Sequence, residues 1–409
     1  MTQSYMLEIT PRDPLVARDG RPFGFGQGNR MRSGDWLLPS VVAGSLRTLL
    51  GKQLGGSFDD EMVTALKATA VSGPFPMIDN KLFFPRPADA VVRNVNGRMT
   101  VLSIRPHTTD GQSSGCDLPA GLIPALLPDS EGDDFKPVKA PAFWSIDRMT
   151  EWLTDETGLK LTTEPFEKWD NGYIEAMPQE ERTHVKITPE LGAASDGELF
   201  STCALDFSRK DGEGVVRMAL RVQPATMFDA ETSKLNLLHP CGGERRLVQW
   251  KADSKVNWSM PELLKAAFEL ADREGHRRLR MVLATPGLFE DSSEQRQGWK
   301  PAWLKETEQG FVGCPPGASL TLRMVSAVVD RWRPISGWSL ERGKVGPKPV
   351  RRMVPAGATY FFEAIGEGRL SELADTYWLQ SVSDNEQDRR DGFGLALWGL
   401  WNEHPTGKT

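Results

Sequence analysis

Histidine and cysteine are scarce in this chain, and neither is grouped. Five histidines (His107, His184, His239, His276, His404) and four cysteines (Cys116, Cys203, Cys241, Cys314) are spread over 409 residues. They form no CxxC pair, no HExxH motif and no carboxylate–histidine cluster, so no metal site is expected. Scattered, unpaired thiols fit a reducing compartment, the cytoplasm, better than a disulfide framework. No G-x-S-x-G elbow is present. The glycines of Gly24-Phe25-Gly26-Gln27-Gly28 lack the G-x-G-x-x-G spacing of a dinucleotide loop. Gly407-Lys408-Thr409 resembles the end of a P-loop, but Asn402 stands where the first glycine is required. No cofactor is therefore expected. No apolar run approaches the roughly 20 residues that cross a bilayer, and no basic segment leads into an apolar one near Met1, so neither a membrane span nor a secretory signal is expected.

What is present points to a globular protein with a local cationic surface. Hydrophobic residues make up 39% of the chain, enough for packed cores and too many for disorder. At 409 residues the chain exceeds what one core usually covers, which predicts two domains. The net charge is -6. Residues 236–409 hold 24 basic and 22 acidic side chains, leaving 25 and 33 for residues 1–235. This asymmetry supports a division into 1–235 and 236–409. Against the acidic background, residues 323–352 carry eight Lys or Arg and only Asp330 and Glu341, a local +6. A basic stretch on an acidic protein suggests a confined phosphate track rather than general polyanion affinity; the plain alternative is a solvated face.

Tyr5, Leu7 and Ile9 alternate with Met6 and Glu8, the period of a half-buried strand. A glycine-rich loop follows over residues 20–34, carrying Arg21, Arg30 and Arg32, with Arg18 just before it. Ser40 is placed to cap a helix whose face is Val42, Leu46, Leu49 and Leu50. Residues 119–141, rich in proline and acid, read as an exposed loop, and residues 181–207 as a hairpin. In the second half, Ser259 and Glu262 have the spacing of a capping box ahead of a helix. Strands are expected at 246–251, 279–284, 319–330 and 358–363. The order strand–helix–strand, then more strands, predicts an α+β fold with a ferredoxin-like βαββαβ unit.

Three groups of residues could meet RNA. Gly242-Gly243-Glu244-Arg245-Arg246 joins exposed backbone N–H groups to two arginines; a β-turn with Glu244 paired to an arginine is the plain reading. Trp338 and Trp332 stand inside the basic stretch, where an indole can stack an unpaired base or simply fill a core. The arginines of the glycine-rich loop can touch phosphates. His184 or His107 could serve as a base in a metal-independent ribonuclease, since imidazole titrates near neutrality.

Seven segments, in order, also resemble one family. They are Ile9-Thr10-Pro11-Arg12-Asp13-Pro14-Leu15 with Arg18-Asp19-Gly20-Arg21-Pro22-Phe23; Leu38-Pro39-Ser40 with Ala43-Gly44-Ser45-Leu46-Arg47-Thr48; Phe84-Pro85-Arg86-Pro87-Ala88-Asp89; Gly242-Gly243-Glu244-Arg245-Arg246; Thr285-Pro286-Gly287-Leu288-Phe289 with Gly298-Trp299-Lys300-Pro301; Gly337-Trp338 with Pro347-Lys348; and Val354-Pro355-Ala356-Gly357. Together they resemble the RAMP subunit that caps the crRNA 5′ handle in the type III-B CRISPR effector, the Cmr complex. The resemblance implies two ferredoxin-like (RRM-like) domains with a protruding β-hairpin insertion. It implies binding of the crRNA 5′ handle, docking to the large polymerase-like subunit and to the backbone RAMP subunit, an indirect relation to target RNA, and no nuclease activity. RNA contact carries over to Arg18, Arg21, Arg30, Arg47, Gly242, Gly243, Arg245, Arg246, Trp338, Lys348, Arg351 and Arg352, and to His184 on the hairpin. The segment 392–399 resembles the family's C-terminal glycine-rich stretch. Two rivals remain: a metal-independent endoribonuclease processing CRISPR repeats, and an assembly subunit whose basic stretch faces a partner protein.

Overall fold

The computed structural model describes residues 3–21, 29–107, 117–128, 135–155, 170–209, 214–252, 254–291, 296–339, 343 and 345–403. Residues 24–28, Cys116, the acidic residues 129–134 and His404 lie outside them. The fold is α+β and rich in antiparallel strands.

The first sheet grows from the amino-terminal strand, Tyr5–Pro11. Its alternation works as expected: Leu7 and Ile9 are fully buried on one face, with Met6 and Glu8 half-buried on the other. Eight strands run in the order Tyr173–Ile174, Phe143–Ser145, Lys81–Pro85, Ala70–Ile78, Arg217–Gln223, Tyr5–Pro11, Leu247–Ala252, Asn236–Pro240. The helix Pro39–Gln53 covers one face with Val42, Leu46, Leu49 and Leu50, an i, i+4, i+7, i+8 stripe. Burying each such side chain contributes roughly 1.5–3 kcal/mol. The helix begins one residue before the expected cap. Pro39 takes the first turn, where its missing N–H costs nothing, so Leu38 holds the cap position without a side-chain bond and Ser40 lies inside the helix.

The second sheet has six strands: Lys305–Thr307, Gly310–Gly313, Thr321–Val328, Thr359–Ile365, Arg278–Leu283, Ala396–Leu400. Counted along the chain from Arg278–Leu283, the four neighbouring strands Thr321–Val328, Thr359–Ile365, Arg278–Leu283 and Ala396–Leu400 stand in the order second, third, first, last. In the first sheet the neighbouring strands Ala70–Ile78, Arg217–Gln223, Tyr5–Pro11 and Leu247–Ala252, counted from Tyr5–Pro11, stand in the same order. The helix Glu262–Arg273 packs Leu264, Phe268 and Ala271 inward. It starts behind Pro261, so the expected Ser259–Glu262 capping box does not form; Ser259 N donates to Asn257 Oδ1 at 3.0 Å instead. The segment 392–399 enters the buried strand Ala396–Leu400, and a side chain on Gly392 would put Cβ 2.6 Å from Val71 O.

Two further findings bear on organisation. Asn236–Pro240 and Leu247–Ala252, on the C-terminal side of residue 235, pair into the first sheet. The second face of that sheet is also buried: Phe75, Met77, Leu82 and Phe84 share one cluster with Leu264, Phe268, Met281, Phe362 and Trp398. Outside both sheets, Gln179–Thr188 pairs with Ala193–Leu205 as a long hairpin, with Ile187 52%, Leu191 78% and Leu199 55% exposed.

A closed ion network ties the two halves together. Arg280 is 1% exposed and its Nη1 lies 2.6 Å from Asp89 Oδ2, itself fully buried. Arg105 binds Asp155 at 2.5 Å, and Asp155 Oδ2 accepts from Asn402 N at 2.6 Å. Trp152 Nε1 and Thr359 Oγ1 both donate to Asp89 Oδ1, at 3.3 and 3.2 Å. Arg280→Ala is expected to lower the unfolding free energy by about 3–5 kcal/mol, because it strands Asp89 without its cation. Urea unfolding reads this, and a loss below about 1 kcal/mol would show that the network does not hold the halves together.

Candidate nucleic-acid interface

Residues 15–21 and 29–35 form the hub of the candidate site. The two stretches lie side by side: Asp19 N donates to Arg32 O at 3.1 Å and Gly34 N to Ala17 O at 2.7 Å. Arg18, Arg21, Arg30 and Arg32 are exposed there. The hub touches three other elements. Met31 N donates to Ser201 O at 2.8 Å, joining it to the hairpin. Gly243 N donates to Val16 O at 3.1 Å, joining it to the 241–246 turn. Gly20 N donates to Pro334 O at 3.2 Å, and a side chain at Gly20 would put Cβ 2.8 Å from Pro334. So the loop, the hairpin, the turn and the basic stretch, separate in sequence, are neighbours in space.

The 241–246 turn is strained. Gly242, Glu244 and Arg245 have φ of 77°, 57° and 53°. Left-handed backbone costs about 1–2 kcal/mol per residue for Glu and Arg. The closing bond Cys241 N to Arg246 O, at 2.8 Å, and the Gly243–Val16 bond hold the turn in place. Glu244 pairs with Arg246 at 2.8 Å, as the plain β-turn reading expects. Arg245 is left exposed with no ion partner among the described residues. Gly242 and Gly243 act through close approach: a Cβ would lie 2.6 Å from Val16 O in one case and 2.9 Å from Val16 Cγ1 in the other.

The basic stretch forms a narrow ribbon. Arg333–Ile335 pairs with Arg351–Met353, and Trp338–Ser339 with Gly346–Pro347. Trp338 is 63% exposed. Lys348 N donates to Gly337 O at 2.8 Å, and its side chain is exposed without an ion partner among the described residues. Arg352 lies over the Trp332 ring, 4.7 Å from its centroid.

Two of the sequence candidates turn inward. Arg47, expected at the RNA surface, is about 12% exposed; it binds Asp391 at 2.5 Å and donates to Thr69 O at 2.8 Å. Arg351 makes a two-pronged pair with Asp388, at 2.7 and 2.9 Å. Both therefore clamp the short helix Glu386–Asp391. Of the outward arginines, Arg30 pairs with Glu181 of the hairpin at 2.5 Å and Arg21 with Asp19 at 3.3 Å. His184 is half-buried, stacked on Phe200 and bonded through Nε2 to Thr202 Oγ1 at 2.8 Å. Two further exposed cations, Arg32 and Arg331, stand free among the described residues. Both lie inside segments legible as basic, but charge alone does not tell an outward arginine from an inward one.

No three His, Cys, Asp or Glu side chains converge as metal ligands among the described residues. Burial, with a smaller push from Lys52, holds His239 below the usual imidazole range, and its Nδ1 lies 3.0 Å from Pro240 O. Burial pushes the Cys241 thiol up to about 12, so it stays protonated. Gly242→Ala should lower the melting temperature measurably, by about 1–3 kcal/mol of strain, whereas Arg245→Ala should leave it unchanged. Equal melting temperatures for the Gly242 variant and the parent would refute the close-approach argument.

Comparison with known proteins gives the family. No curated protein matches the chain in sequence. Among solved structures, a chain of the type III-B Cmr-beta complex bound to cognate target RNA is similar at a TM-score of 0.45 and 12% identity, covering 87% of this chain and 86% of that one. A chain of the Csm3–Csm4 subcomplex of the type III-A CRISPR-Cas interference complex is similar at 0.39 and 10% identity, covering 98% and 100%. A chain of the Csm1–Csm4 cassette in complex with cA4 is similar at 0.31 and 11% identity, covering 90% and 100%. The family model for CRISPR-associated protein Cas_Cmr3 matches residues 7–401, nearly the whole length, and the chain belongs to that family.

Proposed function

We propose that this protein is a non-catalytic, RNA-binding subunit of a type III-B CRISPR effector complex. It grips the 5′ handle of crRNA and bridges the large polymerase-like subunit to the first backbone RAMP subunit, and so sets the register of the guide. It meets target RNA only through the guide and needs no cofactor. The observation that carries this reading is that the hub, with its exposed Arg18, Arg21, Arg30 and Arg32, meets the 241–246 turn, which exposes Arg245, and the ribbon, which exposes Lys348 and Trp338. A single-stranded handle offers phosphates to such cations and unstacked bases to an exposed indole such as Trp338. The strand order second, third, first, last in both sheets is that of a ferredoxin-like unit, and we read them as two RRM-like domains with the 179–205 hairpin as a protruding insertion.

Within this reading Arg245, Lys348, Arg18 and Arg21 touch RNA. Gly242, Gly243, Arg246 and Arg351 shape the surface, and Arg47 holds it from behind. Arg245→Ala and Lys348→Ala should each weaken handle binding and flatten its salt dependence by about 0.7 in slope, one phosphate contact on a single strand. Arg47→Ala should lower stability and leave the slope alone. Salt titrations of crRNA binding decide this; unchanged slopes for both Arg245→Ala and Lys348→Ala would remove the turn and ribbon from the interface. The purified chain should leave CRISPR repeat RNA intact in EDTA. Cleavage that disappears in His184→Ala would establish the endoribonuclease reading instead.

A further inference from the structure

Beside the ribbon, with Arg352 on its lining, lies a cleft of about 790 Å³. Its size falls in the range of sites that hold small organic groups, about 300–1,000 Å³. The floor is rigid. Ile123 N donates to Val325 O at 2.9 Å and Ser326 Oγ to Ile123 O at 2.8 Å, which pins residues 118–125 over the strand Thr321–Val328. Two indoles line it. Trp299 is 37% exposed, its ring edge-on to Phe311 and its carbonyl bonded by Tyr360 Oη at 2.6 Å. Trp332 is 52% exposed although Arg352 covers part of it. Asp330 and Arg331 also line the cleft, and Arg331 is exposed without a partner among the described residues.

These groups divide their labour in a recognisable way. Flat apolar walls accept the face of an aromatic ring. A guanidinium suits a phosphate. A carboxylate has only acceptors, so it selects a ring edge with adjacent N–H donors. Guanine offers two such donors on its Watson–Crick edge, whereas uracil offers one N–H between two carbonyls. The cleft is continuous with the ribbon through Arg352, and the exposed Arg331 on its lining favours a nucleotide over an apolar peptide.

We propose that this cleft is a base-specific subsite: one unpaired base of the bound guide strand, best a guanine, stacks between Trp332 and Trp299, with its edge on Asp330 and its phosphate on Arg331. The proposal rests on the RNA-binding reading above and adds a sequence preference to it.

The test scans abasic sites through a synthetic 5′-handle RNA bound to the full-length chain. One position should lose about tenfold in affinity, the usual worth of a stacked base, and Trp332→Ala should lose the same amount with no further loss from that abasic site. Inosine in place of guanine there removes the exocyclic amine and should weaken the parent but not Asp330→Ala. Trp332 is more than half exposed, so unchanged melting temperatures should verify the fold of the variant. If no position responds to Trp332→Ala while Arg245→Ala still weakens binding, the subsite is refuted and the handle reading stands. If neither variant affects RNA binding, both fall. If Trp332→Ala spares RNA affinity but releases a partner subunit from the assembled complex, the cleft is a protein dock and the proposal is overturned.

Discussion

Two buried arginines and two buried carboxylates decide how the halves of this protein sit. Moving four charges out of water costs several kcal/mol each, and the cost is offset only when every charge finds a partner in good geometry. Asp89 meets that demand with Arg280, Trp152 and Thr359, and Asp155 meets it with Arg105 and Asn402. The partners come from five stretches of chain, so the network can close only when both sheets are in place. It is a condition on docking more than a source of stability. Apolar burial supplies the energy, through a cluster drawn from both sheets.

The network also explains why the candidate interface holds its shape. Ala88 N, next to Asp89, donates to Gly357 O at 2.8 Å. Gly357 stands at φ 89°, and a side chain there would collide with Arg86 O. Just before that glycine, Val354 exchanges two 2.9 Å bonds with Gly287. The root of the basic ribbon is thus fixed to the motif that carries the buried aspartate. The other end of the surface is fixed by Arg47 and Arg351, which grip the helix Glu386–Asp391 from two sides. Exposed cations on a narrow ribbon would be costly to order one at a time. Here the backbone that bears them is held before any ligand arrives.

Much of this was legible in the sequence, and the parts that were not share a cause. Strand alternation gave Tyr5–Pro11, and the 3.6-residue period gave the face of Pro39–Gln53, because those patterns follow from burial on one side. The hairpin was legible for the same reason. Neither Ser40 nor Ser259 caps its helix: Pro39 opens the first, leaving Leu38 at the cap position, and Pro261 holds the cap position ahead of Glu262. The pairing of Leu247–Ala252 with Tyr5–Pro11 is a contact across some 240 residues, which no local pattern encodes. Several of the family segments include tight backbone contacts. Gly242 sits on Val16, Gly287 on Val354 and Gly357 on Arg86. Their spacing records close packing, and the exposed cations are passengers on that backbone.

Charge shows the same limit most plainly. The stretch 323–352 has eight cations and a local charge of +6 in sequence. In the fold, Arg323 pairs with Glu363, Arg333 with Asp35 and Arg351 with Asp388, all acids from outside the stretch. Three of the eight are thereby neutralised. Arg331 and Lys348 remain exposed without ion partners among the described residues, and Arg352 lies over an indole. A phosphate track, if these cations form one, would rest on those few positions. A net charge of -6 is then no argument against RNA binding, because most arginines named here are spent on holding the fold and a few stay exposed.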